Sequence, residues 1–231
     1  MRTMSDMSHV KLSTFSIVAR SARDGEFGVA SATAAPCVGA MLPFAARGVG
    51  AIATQAWVNV NLGHHGLRLM RSGLSIGTAI EALLSEDEGR ERRQVIGVGK
   101  TSVFGFTGSD CTSPKGHLVE RDFAVAGNIL SSEGVLESMV STFKASKGDL
   151  GERLIRSLEA GDRAGGDSRG KMSAVLLISS EKPLLWHDLR VDMHDSPVEE
   201  LRRIFDAVKV LQAELEDDGD GEVLRVRPPV D

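Results

Sequence analysis

The chain has 231 residues and a formal net charge of −5, an acidic balance without the basic patch expected for a nucleic-acid partner. No window is apolar over the ~20 residues that a membrane-spanning helix needs, and the opening MRTMSDMSHVKLS has no apolar core of a secretory signal. Its two cysteines, Cys37 and Cys111, lie far apart, which excludes a disulfide framework and leads us to expect reduced thiols in a cytoplasmic protein.

At 42% hydrophobic the chain can bury a substantial core. With 25 glycines, eight Phe, two Trp and no Tyr, that core must come from small side chains and closely packed backbones. Residues 1–13 form a short polar leader, expected to be flexible. TFSIVAR (14–20), a turn at Asp24–Gly25 and EFGVASATA (26–34) then form a predicted hairpin. VGAIATQAW (49–57) is a strand of small residues, introduced by Gly39, Gly48 and Gly50. Asn61 is placed to cap a helix carrying Leu62, Leu69 and Met70, ended by Gly73. Ser75 caps the next, with Ile76, Ala79, Ile80, Leu83 and Leu84 at helical spacing. The charged GRERR (89–93) is expected to be a solvated connector.

QVIGVG (94–99) and SVFGFTG (102–108) form a second predicted hairpin about Lys100–Thr101, and FAVAGN (123–128) is a short strand ending in a polar corner. Two helices follow. Val135, Leu136, Met139, Val140 and Phe143 mark the first, and an Asp149/Glu152 capping box opens the second. MSAVLLISS (172–180) is the most apolar strand, with PLLWHDLRVD (183–192) as its partner. The last helix opens on Ser196, Pro197 and Glu199, with Val198, Leu201, Ile204, Phe205, Val208, Leu211 and Leu215 as its buried stripe. Residues 216–231 make an acidic, then proline-bearing tail that is expected to fray.

Strands come in groups and helices in pairs, which disfavours a doubly wound parallel sheet. The pattern predicts an α+β fold of antiparallel sheets covered by helical layers, in a single domain over 14–215.

Several motifs carry chemistry on paper. GVGKTS (97–102) imitates a phosphate loop, but Gln94 stands where its first glycine belongs and a strand follows. EDDGDG (216–221) resembles a calcium loop, yet Arg227 occupies the position of the required Glu. His64, His65, His117, His187 and His194 lack metal-ligand spacing, and neither a metal nor another cofactor is expected. Cys111 reads as a small buried thiol. GGDSRGKMSA (165–174) sets Asp167, Arg169, Lys171 and Ser173 at a strand entrance, where glycines admit a ligand to the backbone. Gly127 and Asn128 end a strand in a way suited to an oxyanion hole or to a cap. Thr14 is a hydroxyl at the head of a strand. If the leader were removed, Thr14 would carry its own base in its α-amine.

TFSIVAR, ARGVGAIATQAW, AVAGNIL, AGGDSRGKMSA and DLRVDMHDSPVEELRR together resemble the blocks of the family known as domain of unknown function 1028, in order from Thr14 to Phe205. That family is placed in the N-terminal-nucleophile hydrolase superfamily. The resemblance implies a four-layer αββα sandwich and amide-bond hydrolysis. Thr14 matches the nucleophile, and Arg47 the basic residue that lowers the amine's pKa. Asn128 is the implied oxyanion donor, and Asp167 and Ser173 support the nucleophile. Gln55, Trp57, Gly127 and Arg169 are implied to bind substrate. The chain departs from the superfamily after the second strand, where ATAAPCVG (32–39) holds no acidic residue.

The expected function is hydrolysis of a C–N bond in a small molecule or short peptide by Thr14 after leader removal. The alternative is a non-catalytic binding or assembly protein on the same scaffold. A homo-oligomer, most simply a dimer, is expected in either case.

Overall fold

The alternation in TFSIVAR sets the pattern for the whole molecule, which a computed structural model describes over residues 11–12, 14–21, 25–181 and 185–217. Strands β1 (Lys11–Leu12), β2 (Thr14–Ser21), β3 (Glu26–Thr33), β4 (Pro43–Ala46) and β5 (Gly50–Trp57) lead into helices α1 (Val60–Arg71) and α2 (Ile76–Ser85). Next come β6 (Arg93–Gly99), β7 (Val103–Thr107), β8 (Gly116–Val119) and β9 (Phe123–Gly127), then α3 (Gly134–Ala145) and α4 (Leu150–Arg163). β10 (Ser173–Ser179), β11 (Asp188–Val191) and α5 (Pro197–Asp217) complete the described chain.

The fold is mixed α+β, with two antiparallel sheets. One runs in the order β11-β10-β3-β2-β9-β8, the other β1-β5-β6-β7, and β4 also pairs with β5. β4 lies against residues 50–53 of β5, and β1 against Ala56 and Trp57. Residues 11–12 of the segment read as a leader are therefore paired in one sheet, whereas Thr14 begins a strand of the other.

Because successive strand side chains point to opposite faces, the central strands β2 and β5 each contribute to two cores. Phe15, Ile17 and Ala19 of β2 pack with Met139 and Phe143 of α3, Leu154 and Leu158 of α4, and Leu201 and Phe205 of α5. Full burial of a side chain such as Phe15 contributes roughly 1.5–3 kcal/mol. Val18 on the other face of β2 joins Val29, Ala51, Ala53, Ile96, Ala124 and Val175 between the two sheets. Ile52 and Val95 turn away from that layer and pack with Leu62, Ile76, Ile80 and Leu84 under α1 and α2. Among the described residues no helix is long and apolar enough to cross a membrane.

Ser75 caps α2 by accepting the Thr78 N–H, Asp149 caps α4 by accepting the Glu152 N–H, and α5 opens on Pro197. Both hairpins form in antiparallel register, although Asp24 lies outside the described residues. Other expectations are corrected. Asn59, not Asn61, caps α1: its side chain accepts the Asn61 N–H from an extended residue, while Asn61 already has helical geometry. β1, β4 and β8 were not foreseen. GRERR is only partly a solvated connector, because Arg93 is buried and opens β6. Leu211 is exposed, and the neighbouring Gln212 is buried in its place, accepting the Leu185 N–H. The side chain of Leu215 and residues 218–231 lie outside the description. Both cysteines are free thiols.

Candidate active site

The register of the larger sheet aligns Thr14 of β2 with Thr33 of β3, and Thr33 with Ser173 of β10. All three share the parity of Val18 and Val29, so they face the other sheet. All three are fully buried. The Thr14 hydroxyl donates to the Thr33 hydroxyl over a long 3.4 Å. On the other side of β2, the Asn128 N–H donates to the Thr14 carbonyl at 3.1 Å.

Asp167 and Ser173 hold the segment that follows Thr33. The Asp167 carboxylate accepts the Ala34 N–H at 3.2 Å and the Arg169 N–H at 2.9 Å. Ser173 Oγ donates to the Ala35 carbonyl at 2.6 Å and accepts the Val38 N–H at 3.1 Å. Neither side chain touches Thr14, and both reach it through the end of β3. Gly166 makes the Asp167 turn possible. Its φ is +51°, and a Cβ there would stand 2.8 Å from Phe15 Cε1.

A second row lies one step deeper. Ser31 Oγ donates to Ser16 Oγ at 2.8 Å, and Ser16 Oγ donates to Gln55 Oε1 at 2.5 Å. Gln55 Nε2 donates across to Gln94 Oε1 at 2.7 Å and to the Thr14 carbonyl at 3.4 Å. Gln94 Oε1 also accepts from Asn128 Nδ2 at 3.0 Å, while its Nε2 faces Thr107 Oγ1 and the carbonyls of Gly116 and Gly127 at 2.9–3.0 Å. At the far end, Thr107 Oγ1 and His117 Nδ1 are 2.8 Å apart. Burial depresses the His117 pKa, which keeps the ring neutral at physiological pH. Satisfied buried networks of this kind rigidify their surroundings, and each broken bond exposes a partner to about 1–3 kcal/mol of unrecovered desolvation.

The backbone is strained beside these groups. Cys37, Ala56 and Ile129 are the non-glycine residues with positive φ among the described ones, at 58°, 64° and 52°. They adjoin the Ser173-bound Val38, Gln55 and Asn128. Each such residue costs about 1–3 kcal/mol. A buried ion pair lies beside Ala56, with its arginine on the strand opposite. Arg93, the Cα partner of Ala56, donates to Asp87 at 2.8 and 3.0 Å and to the Trp57 carbonyl at 2.7 Å. Asn59 Nδ2 donates to the same carboxylate. Burial resists the charge on Asp87, but the bonds from Arg93, Asn59 and the Gly89 N–H outweigh it and hold its pKa below the usual value.

The structure thus brings Thr14, Gln55, Gly127, Asn128, Asp167 and Ser173 into one neighbourhood. Arg169 reaches it only through Asp167, with its guanidinium nitrogens 3.5 Å from the carboxylate. Trp57 lies past the irregularity at Ala56, with the Arg92 guanidinium 5.7 Å from its ring centroid. Arg47 is elsewhere. It follows Ala46, which pairs with Gly50, whereas Thr14 meets Gln55, about 16 Å further along the extended strand. Ser16, Ser31, Thr33 and Gln94 were missed. The signal for the three hydroxyl residues was their placement at alternate positions, Thr14 and Ser16 then Ser31 and Thr33, between apolar neighbours.

Cys111 is buried, its Sγ donates to the Arg93 carbonyl at 3.3 Å, and burial pushes its thiol pKa up, away from nucleophilic use. Among the described residues no group of three or more His, Cys, Asp or Glu could hold a metal.

Two antiparallel sheets enclosing a buried, hydroxyl-lined polar cluster define the class. The chain belongs to the family described as a family of unknown function, DUF1028, whose model matches residues 14–201. It is similar to protein SPO2555 from Silicibacter pomeroyi, known from a crystal structure and assigned to the same family model. The two share 31% sequence identity over 85% of each chain, with a TM-score of 0.78. No curated protein matches the chain.

Proposed function

We propose that the chain is an N-terminal-nucleophile amide hydrolase of small-molecule or short-peptide substrates, active once residues 1–13 are removed. The observation that carries this reading is the position of Thr14. It heads a strand of the larger sheet, hydroxyl toward the facing sheet, with Thr33, Asn128 and Gln55 around it. The order of helices, sheet, sheet and helices, with an apolar cluster in each gap, supports the four-layer αββα sandwich of that superfamily.

In the proposed reaction, Thr14 Oγ attacks the substrate carbonyl while the freed α-amine accepts the hydroxyl proton. Asn128 donates to the oxyanion. The amine returns its proton to the leaving nitrogen, and the acyl group stays on Thr14 as an ester. Water, deprotonated by the same amine, then attacks that ester and releases the acid. Arg47 has no part in the scheme, because it lies at the far end of β5. Asp167 and Ser173 serve as positioning residues that fix the chain after Thr33.

Intact-mass measurement of protein from its native cell tests the first step, with an N-terminus at Thr14 expected. A start at Met1 in active protein overturns it. A screen of amide substrates tests the second. Thr14→Ala must abolish turnover and Thr14→Ser retain part of it. The alternative, a binding or assembly protein, draws on the complete burial of Thr14 in the uncleaved chain. It is distinguished by ligand-induced stabilisation without turnover, insensitive to Thr14→Ala.

A further inference from the structure

Arg47, Arg71 and Lys100 come from three separate parts of the chain: the β4–β5 turn, the last turn of α1 and the β6–β7 turn. They line one cavity of about 580 Å³, within the roughly 300–1,000 Å³ range of small-molecule sites. None of the three side chains makes a hydrogen bond or ion pair with any described residue. Other cations of the molecule are paired, among them Arg20 with Asp122, Lys144 with Glu120, Lys171 with Asp162, Arg190 with Asp188 and Lys209 with Asp149. No acidic residue lines the cavity, although the chain as a whole carries a net charge of −5. Three like charges gathered around one opening repel each other, and an anion placed between them would remove that cost.

The rest of the wall narrows the chemistry. Val49, Met70 and Ile76 form a buried apolar floor, and Thr101 and Ser102 add hydroxyls at the rim. The start of α2 contributes the positive end of a helix to the same wall. We propose that this cavity binds a small molecule with a multiply charged anionic head, a phosphate or diphosphate ester, whose apolar body rests on the floor. GVGKTS therefore meets an anion through the side chains of a hairpin turn and not through a phosphate loop. The site lies at the opposite end of β5 from Thr14 and does not depend on the hydrolase reading.

Calorimetric titration of the full chain with inorganic pyrophosphate tests the proposal. One-site binding is expected at about 50 mM salt, weakening several-fold at about 300 mM as the charges are screened. Arg47→Ala, Arg71→Ala and Lys100→Ala should each weaken it about tenfold, the size of one hydrogen bond to a charged group. Arg71→Lys should lose less. Thr14→Ala should leave binding unchanged. These side chains are exposed, so the variants should melt as the parent does. The absence of saturable binding at millimolar pyrophosphate overturns the proposal. So does binding that survives the triple alanine variant in folded protein, or that disappears in Thr14→Ala.

Discussion

Thr33 faces Thr14 directly across β2 and β3, and its hydroxyl oxygen lies 3.4 Å from that of Thr14. It is the one side chain among the described residues to which the Thr14 hydroxyl bonds. At this length the bond is weak, so Thr33 orients the Thr14 rotamer more than it stabilises the fold. Replacing Thr33 with Val keeps the shape and removes the oxygen. We expect a stability loss of about 1 kcal/mol in urea denaturation, together with, on the proposed hydrolase reading, a clear fall in labelling of a freed N-terminal Thr14 by a threonine-directed electrophile. Unchanged labelling would show that Thr33 is a packing residue only.

Gln94 is the more expensive residue to lose. Replacement by Leu removes a buried partner from Gln55 Nε2, from Asn128 Nδ2 and from the Gly127 carbonyl at once. A loss of about 3 kcal/mol or more is expected. Gln55→Leu with Gln94→Leu should cost clearly less than the sum of the single changes, because the two amides bond to each other. Strict additivity in that double-mutant cycle is the adverse result.

Asp87 predicts acid behaviour. Its folded pKa is depressed, so its contribution is fully present above the unfolded carboxylate value of about 4. It is lost as pH falls through the lower folded value. Urea midpoints recorded from neutral to acid pH should therefore fall less steeply at the acid end in Asp87→Asn than in the parent. Arg93→Ala, which leaves a buried carboxylate without its partner, should cost about 3–5 kcal/mol. It should also loosen the strained turn at Ala56, readable as faster amide exchange at Ala56 and Trp57.

Gly166→Ala tests the turn that presents Asp167. The new methyl would meet the Phe15 ring at 2.8 Å from a left-handed backbone, and about 1–3 kcal/mol of destabilisation is expected from the conformation alone. A melting temperature equal to the parent's would contradict this account of the turn.

Much of the fold was written locally. Asp149 before Glu152, Ser75 before Ile76 and Pro197 after Ser196 are signals spanning a few residues, and each marks a helix start. Thr14, Phe15, Ser16 and Ile17 announce a two-faced strand for the same reason. PFAA (43–46) and GHLV (116–119) are too short and too poor in β-branched residues to stand out, and they become strands because β5 and β9 lie alongside. Arg47 went astray because closeness along the chain says nothing about which end of an eight-residue strand a turn occupies. Gln94 escaped notice because its value lies in partners 34 and 39 residues away, and no periodicity reports such a meeting.

The layer between the sheets is divided, with Val18, Val29, Ile96 and Val175 in its apolar part and Ser16, Gln55, Gln94 and Asn128 in its polar part. Apolar contacts are indifferent to small displacements, whereas amide bonds have direction and a narrow range of length. Sliding one sheet over the other by a single strand spacing, about 4.8 Å, would leave the first group in contact and break the bonds of the second that cross between the sheets, Ser16 to Gln55 and Asn128 to Gln94 among them. The polar part therefore works as an alignment key: the groups gathered around Thr14 also dictate how the two halves of the molecule are seated on each other.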